Sequence, residues 1–230
     1  MLEIARGFQE AIRMLLTLDP EIYEIVGLSL QVSLSSVFIA TCLGIPLGVL
    51  IGLFNFIGKR IIIRLTYTLM SLPPVIAGLV VFLFIMRKGP LGSLGLSFTP
   101  TAMVIAQVCL VTPIITGLTY NIVKEKAFKV RRLAFTLGAN KIESMKLLIF
   151  ELRVGLLAAV VTGLGRAISE VGAVMLVGGN IVGKTRVMTT YIAQLQRMGN
   201  YDRAIAVGIV LLLIAFFINA VLYNIQEKQG

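Results

Sequence analysis

The sequence predicts an all-α membrane protein of about five transmembrane helices, preceded by an N-terminal interfacial amphipathic helix. Three observations carry this. Of the 230 residues, 57% are hydrophobic and 14% charged, where a soluble domain has about half and about a quarter. The mean hydropathy is +0.95, so too few polar side chains exist to cover a water-facing surface. Five apolar segments each reach the roughly 20 residues that a spanning helix needs.

The net charge of +10 would suggest nucleic acid in a soluble chain. Here it reports topology, because Lys and Arg collect on the cytoplasmic side of membrane proteins, and no nucleic-acid partner is expected. The chain has no histidine, which removes His-based acid–base chemistry and His metal ligands. Cys42 and Cys109 sit inside apolar runs and read as buried free thiols, with neither disulfide nor metal spacing.

Residues 1–24 form the first unit. Ile4, Phe8, Ile12 and Leu15 fall on one helical stripe, opposite Glu3, Arg6, Gln9, Glu10 and Arg13. Residues 3–17 therefore read as an amphipathic helix in the membrane interface, with a packed terminal helix as the plainer alternative. No cleaved signal peptide is expected, since no long apolar block lies near Glu3 and Glu10. Asp19-Pro20 ends the helix.

Residues 25–226 form the membrane unit, with spans expected at 26–54, 61–86, 99–123, 152–177 and 204–224. The first carries Gly44, Gly48 and Gly52 at intervals of four, a spacing that lets helix backbones approach; chance is the alternative. Pro73 and Pro74 in the second span and Pro113 in the third are expected helix breaks. With the N-terminus outside, twelve basic residues fall inside and eight outside, which favours N-out, C-in. Arg166 and Glu170 lie four apart within the fourth span. An intramembrane ion pair is either a structural lock or part of a transport route.

The longest hydrophilic stretch is 124–151. Ala127 to Leu137 has helical spacing, Gly138 suits a C-cap, and Asn140 with Glu143 suits the start of a second helix. Such an element either docks into a cytosolic partner through Phe128, Leu133, Ala134 and Phe135, or is a solvated loop that fixes topology. Gly178 to Thr185 matches G-x-x-x-x-G-K-T, yet it follows a membrane span rather than a strand, so a nucleotide site is not expected. Gly179, Asn180, Gly183, Lys184 and Thr185 read as an external turn, with Lys184 and Arg186 as charge for a passing oxyanion.

Residues 132–139, Arg-Leu-Ala-Phe-Thr-Leu-Gly-Ala, resemble the coupling loop of ABC importer permeases. Ala134 and Leu137-Gly138-Ala139 follow that pattern; Arg132 stands where Glu is usual, Leu133 where Ala is, and Phe150-Glu151 where Leu-Pro is. The segments Gly165–Ala173 and Gly178–Thr185, with Leu72–Val75, Gly89–Gly92 and Thr185–Thr190, resemble the molybdate, tungstate and sulfate branch of these permeases, most of all those for tungstate. The resemblance covers about residues 20–225.

It implies a type I importer permease that is non-catalytic, works as a homodimer in the prokaryotic inner membrane, and receives its anion from an extracytoplasmic oxyanion-binding protein. ATP is then bound by partner ATPase subunits, with no cofactor in this chain. The coupling residues would be Arg131, Arg132, Ala134, Leu137, Gly138, Ala139 and Asn140. Molybdate or sulfate permeases, a passive anion channel or exporter, and a membrane enzyme using Glu170 are the competing expectations.

Overall fold

The computed structural model describes residues 20–227 and, ahead of them, residues 7, 9–11 and 13. The expected interfacial helix at 3–17 thus lies largely outside the described residues; within it, Ala11 is buried among Ile22, Tyr191 and Val207. The described elements are helical. They run α1 (Pro20–Leu53), α2 (Lys59–Met70), α3 (Pro74–Ile85), a 3₁₀ turn at Gly92–Leu94, α4 (Pro100–Thr136), α5 (Lys141–Ile168), α6 (Gly172–Gly178), α7 (Met188–Arg197) and α8 (Tyr201–Glu227). Four helices are long and apolar enough to cross a membrane, and the bent pair α2–α3 makes five if it crosses as one span.

The 37-residue α4 is the axis of the bundle, packed against α1 and α5 most extensively and against α2, α3 and α6 as well. The glycine stripe of α1 makes the first contact possible. A Cβ on Gly48 would stand 2.6 Å from the Thr116 carbonyl oxygen and 2.6 Å from Thr119 Cβ, and one on Gly52 would stand 2.5 Å from Val123. Backbones this close leave no room for a side chain, so the stripe is a helix–helix face. Gln107 of α4 joins three helices: it accepts the Ser36 hydroxyl at 2.7 Å and donates to the Ala167 carbonyl at 3.0 Å.

Four expectations need correction. Cys42 and Cys109, read as buried thiols, are both exposed on the faces of α1 and α4. Pro113 does not break its helix; α4 runs unbroken through it. Its neighbours clamp it, since Gly44 packs on Ile115 and the Thr112 carbonyl while Gly163 packs on Val111 and Ile115, and a membrane helix held on both sides tolerates proline. The fourth span does not run through 152–177; α5 ends at Ile168 and α6 starts at Gly172. The residues up to Thr136 are not a separate short helix but the end of α4 itself. At Pro73-Pro74, by contrast, α2 and α3 meet at 102°. Pro74 takes the first-turn position of α3, where its missing N–H does no harm.

Candidate functional site

The two interruptions meet. A Cβ on Gly172 would stand 3.0 Å from Val75 Cγ2 and 3.7 Å from Glu170 Oε1. The gap between α5 and α6 therefore abuts the first turn of α3. One turn on, α3 and α6 touch backbone to backbone, with Gly78 against Ala173 Cα. Glu170 organises this junction. Its Oε1 accepts the Ala173 N–H at 3.0 Å, capping α6. Its Oε2 faces the Arg166 guanidinium at 3.4 Å. Its backbone carbonyl accepts the Thr189 hydroxyl at 2.8 Å. The carboxylate is buried at 3% exposure while Arg166 is 37% exposed.

Behind Glu170 lies a cavity of about 20 Å³ lined by Ser29, Ser33, Gln107 and Thr189 among others, about the size and polarity that holds one water.

The second locus is the tip of the α4–α5 hairpin. The Ala139 N–H reaches the Ala134 carbonyl at 3.0 Å and the Gly138 N–H reaches that of Phe135 at 3.1 Å, with Gly138 at φ +84°. This is the double-bonded left-handed helix stop that glycine favours. Asn140 then accepts the Ile142 and Glu143 amides at 2.9 and 3.0 Å, and Glu143 accepts the Asn140 N–H at 2.8 Å, a reciprocal cap.

Arg132, Leu133, Leu137 and Ile142 are exposed around this tip, and Ala134 is not. Ala134 continues the line of Val123, Ala127 and Val130, which packs on Leu148 and Leu152. Its side chain is turned inward, so it shapes the turn rather than offering a contact. Lys124, Arg131, Arg132, Phe128 and Phe135 line an open groove of about 620 Å³ with Gly52 and Leu53, a basic surface with apolar knobs.

The third locus is the external turn. Gly179, Asn180 and Gly183 adopt φ of +73°, +53° and +67°. The Thr185 hydroxyl donates to the Gly178 carbonyl at 2.6 Å and accepts the Ile181 N–H at 3.0 Å. The Lys184, Thr185 and Arg186 amides all turn to the Ile181 carbonyl. Asn180 donates to Gln194 at 2.6 Å and accepts from Thr190 at 2.9 Å. These groups are spent on the turn itself, and a seven-residue helix rather than a strand precedes it, so it is no phosphate loop.

Lys184 is exposed, but Arg186 is buried against Glu21 at 3.4 Å. Arg203 grips the other Glu21 oxygen at 3.1 Å. The sequence reading missed Glu21, Arg203, Gln107 and Thr189 as organisers. The acid at the start of the first span and the Gln inside an apolar helix were the available signals; Thr189, on the amphipathic helix Met188–Arg197, carried none.

A bundle of apolar spans with one span bent at a proline pair, an ionic junction between broken helices, and a basic hairpin beyond the spans marks a polytopic membrane protein. The family model described as binding-protein-dependent transport system inner membrane component matches residues 44–229, and the chain belongs to that family. It is therefore a multi-pass permease of the inner membrane.

It is 51% identical to the tungstate uptake system permease protein TupB of Peptoclostridium acidaminophilum, over 98% of this chain and 99% of that one. It is 26% identical to the sulfate transport system permease protein CysW of Escherichia coli K12, over 92% and 76%. The fold matches the MetNI methionine ABC transporter, in its inward-facing conformations, with a TM-score of 0.70 over 95% of this chain and 98% of that chain, at 19% identity.

Proposed function

We propose that this chain is the permease subunit of an ABC importer for tungstate. The carrying observation is the 51% identity to a tungstate permease along 98% of the chain. In this reading two copies pair as a homodimer around the anion route. A cytosolic ATPase dimer binds and hydrolyses ATP, docking on the hairpin at Arg131, Arg132 and Leu137–Asn140. An extracytoplasmic binding protein delivers the anion to the face that carries the turn at Gly179–Thr185. The chain itself catalyses nothing. The bent α2–α3 pair supplies flexibility, since alternating access needs elements with two packings.

The test is uptake. Cells lacking this gene, and the same cells with it restored, are exposed to tungstate, molybdate and sulfate with and without an energy poison. Cellular tungsten, molybdenum and sulfur are then counted by mass spectrometry. Loss of energy-dependent tungsten accumulation alone is the expected result. Loss of molybdenum or sulfur instead changes the substrate and keeps the permease. Uptake that survives the poison overturns the ATP-driven reading in favour of a passive channel.

A further inference from the structure

Thr162, Gly165 and Arg166 of α5 and Ser169 at its C-cap stand at i, i+3, i+4 and i+7, one face of a helix. Thr162, Gly165 and Ser169 are exposed and Arg166 is 37% exposed. The helix that carries them is otherwise apolar enough to span a membrane. The Thr162 and Ser169 hydroxyls bond carbonyls of their own helix, but a guanidinium on the outer face of a spanning helix is the reverse of what lipid selects, because arginine is disfavoured against hydrocarbon.

We infer that this stripe lines the aqueous route of the anion and that Arg166 is the group that meets a tetrahedral oxyanion there. The inference rests on the permease reading and adds the residues that touch the cargo.

The geometry of the ion pair supports the assignment. Glu170 is held from three sides, by Arg166, the Ala173 amide and the Thr189 hydroxyl, and it lies within the protein. The pair thus turns its positive half outward and keeps its counter-charge inside. A guanidinium offers five N–H donors in a fork that matches oxyanions. With one nitrogen engaged by Glu170, the others remain for a ligand. A Cβ on Gly165 would meet no atom within 4 Å, so the space beside Arg166 is open. The Ser169 hydroxyl bonds the Gly165 carbonyl at 2.9 Å and sits one turn further along the same face, where rotation would aim it at a ligand. The buried carboxylate at 3.4 Å also keeps the anion from binding too tightly, as a conducting site requires.

The test uses the whole complex in vesicles, with Cys42 and Cys109 replaced by Ser and either Thr162→Cys or Ser169→Cys introduced. Two charged thiol reagents are compared, the anionic methanethiosulfonate ethylsulfonate and its cationic trimethylammonium counterpart. Each rate is normalised to a free thiol. Both cysteines are expected to react, with the anionic reagent favoured about fivefold or more at position 169, a local-potential effect. R166Q removes the preference and R166K keeps it; should R166Q fail to assemble, the R166Q/E170Q double variant replaces it. Cysteines inert to both reagents with and without ATP overturn the inference, as does a preference that the Arg166 variants do not move. Tungstate uptake by the same vesicles separates the two claims. Uptake with inert cysteines sinks only the lining assignment, whereas the charge preference without tungstate uptake leaves it standing and sinks the substrate.

Discussion

The Ser36 hydroxyl donates to the Gln107 side-chain oxygen at 2.7 Å across the buried α1–α4 interface, and Gln107 passes its own N–H on to Ala167 of α5 at 3.0 Å. Gln107→Leu leaves the Ala167 carbonyl without that donor. The Ala167 carbonyl keeps the Glu170 N–H at 3.3 Å and the Ser36 hydroxyl keeps the Ser33 carbonyl at 2.8 Å, so neither is orphaned and a loss of about 0.5–1.5 kcal/mol is expected, the net worth of an ordinary hydrogen bond. Thermal unfolding of the detergent-solubilised chain reads it. Ser36→Ala combined with Gln107→Leu should add little, and full additivity would mean the two do not act together.

Gly48→Val should push α1 off α4. Its Cβ would lie 2.6 Å from a backbone oxygen, which cannot retreat as a flexible side chain does. Overpacking of this kind costs about 1–3 kcal/mol. Gly27→Ala is the control, with nothing within 4 Å, and its melting point should equal or exceed the parent's, since alanine is the better helix former. Equal melting points for Gly48→Val and the parent would refute the close-packed seam.

Arg166→Ala leaves a carboxylate that is 3% exposed without its cation. The single variant should melt lower than Arg166→Ala/Glu170→Gln, because an unpaired buried charge is worse than none. The gap is set at about 1–2 kcal/mol, below the fully buried case, since solvent reaches Arg166. A double variant no better than the single would show that the pair does not hold the junction.

Gly138→Asp places a β-carbon at φ +84°, a strain of about 1–2 kcal/mol for a non-glycine residue, and adds a negative charge to a basic tip. Copurification with the ATPase should fall while membrane insertion is unchanged. Gly138→Asn, which tolerates the left-handed conformation, should keep most of it. Undiminished copurification by the Asp variant would remove the tip from the docking surface.

The architecture was readable because the bilayer imposes length and composition. The apolar runs gave the number of spans and, apart from the fourth, their rough bounds, and the four-residue glycine rhythm gave a helix–helix face on α1 without saying that α4 is its partner. Gly138 and Asn140 gave the hairpin turn because their chemistry is local. The breaks were harder. Pro113, like Pro46 in α1, sits inside an unbroken helix, and the packing of Gly44 and Gly163 on its neighbours is a long-range contact that the sequence does not display.

The actual second break, at Ser169–Val171, carries no proline. It forms because a buried carboxylate replaces a helix bond with its own bond to the Ala173 amide. The inward turn of Ala134 and the partnership of Glu21 with Arg186 and Arg203 depend on residues more than a hundred positions apart or on which side of a helix faces in. Periodicity alone does not show either.

The uninterrupted run of α4 from Pro100 to Thr136 has a mechanical meaning. At 1.5 Å per residue it is a rod of about 55 Å, reaching from the outer layer to the hairpin tip in one piece, and the reciprocal cap at Asn140 joins it stiffly to α5. A displacement applied at Arg132 is expected to travel along this rod toward the helices that pack on Gln107, with Pro113 between them as its softest point and the short pieces hung on it, α2, α3 and α6, as the parts that yield.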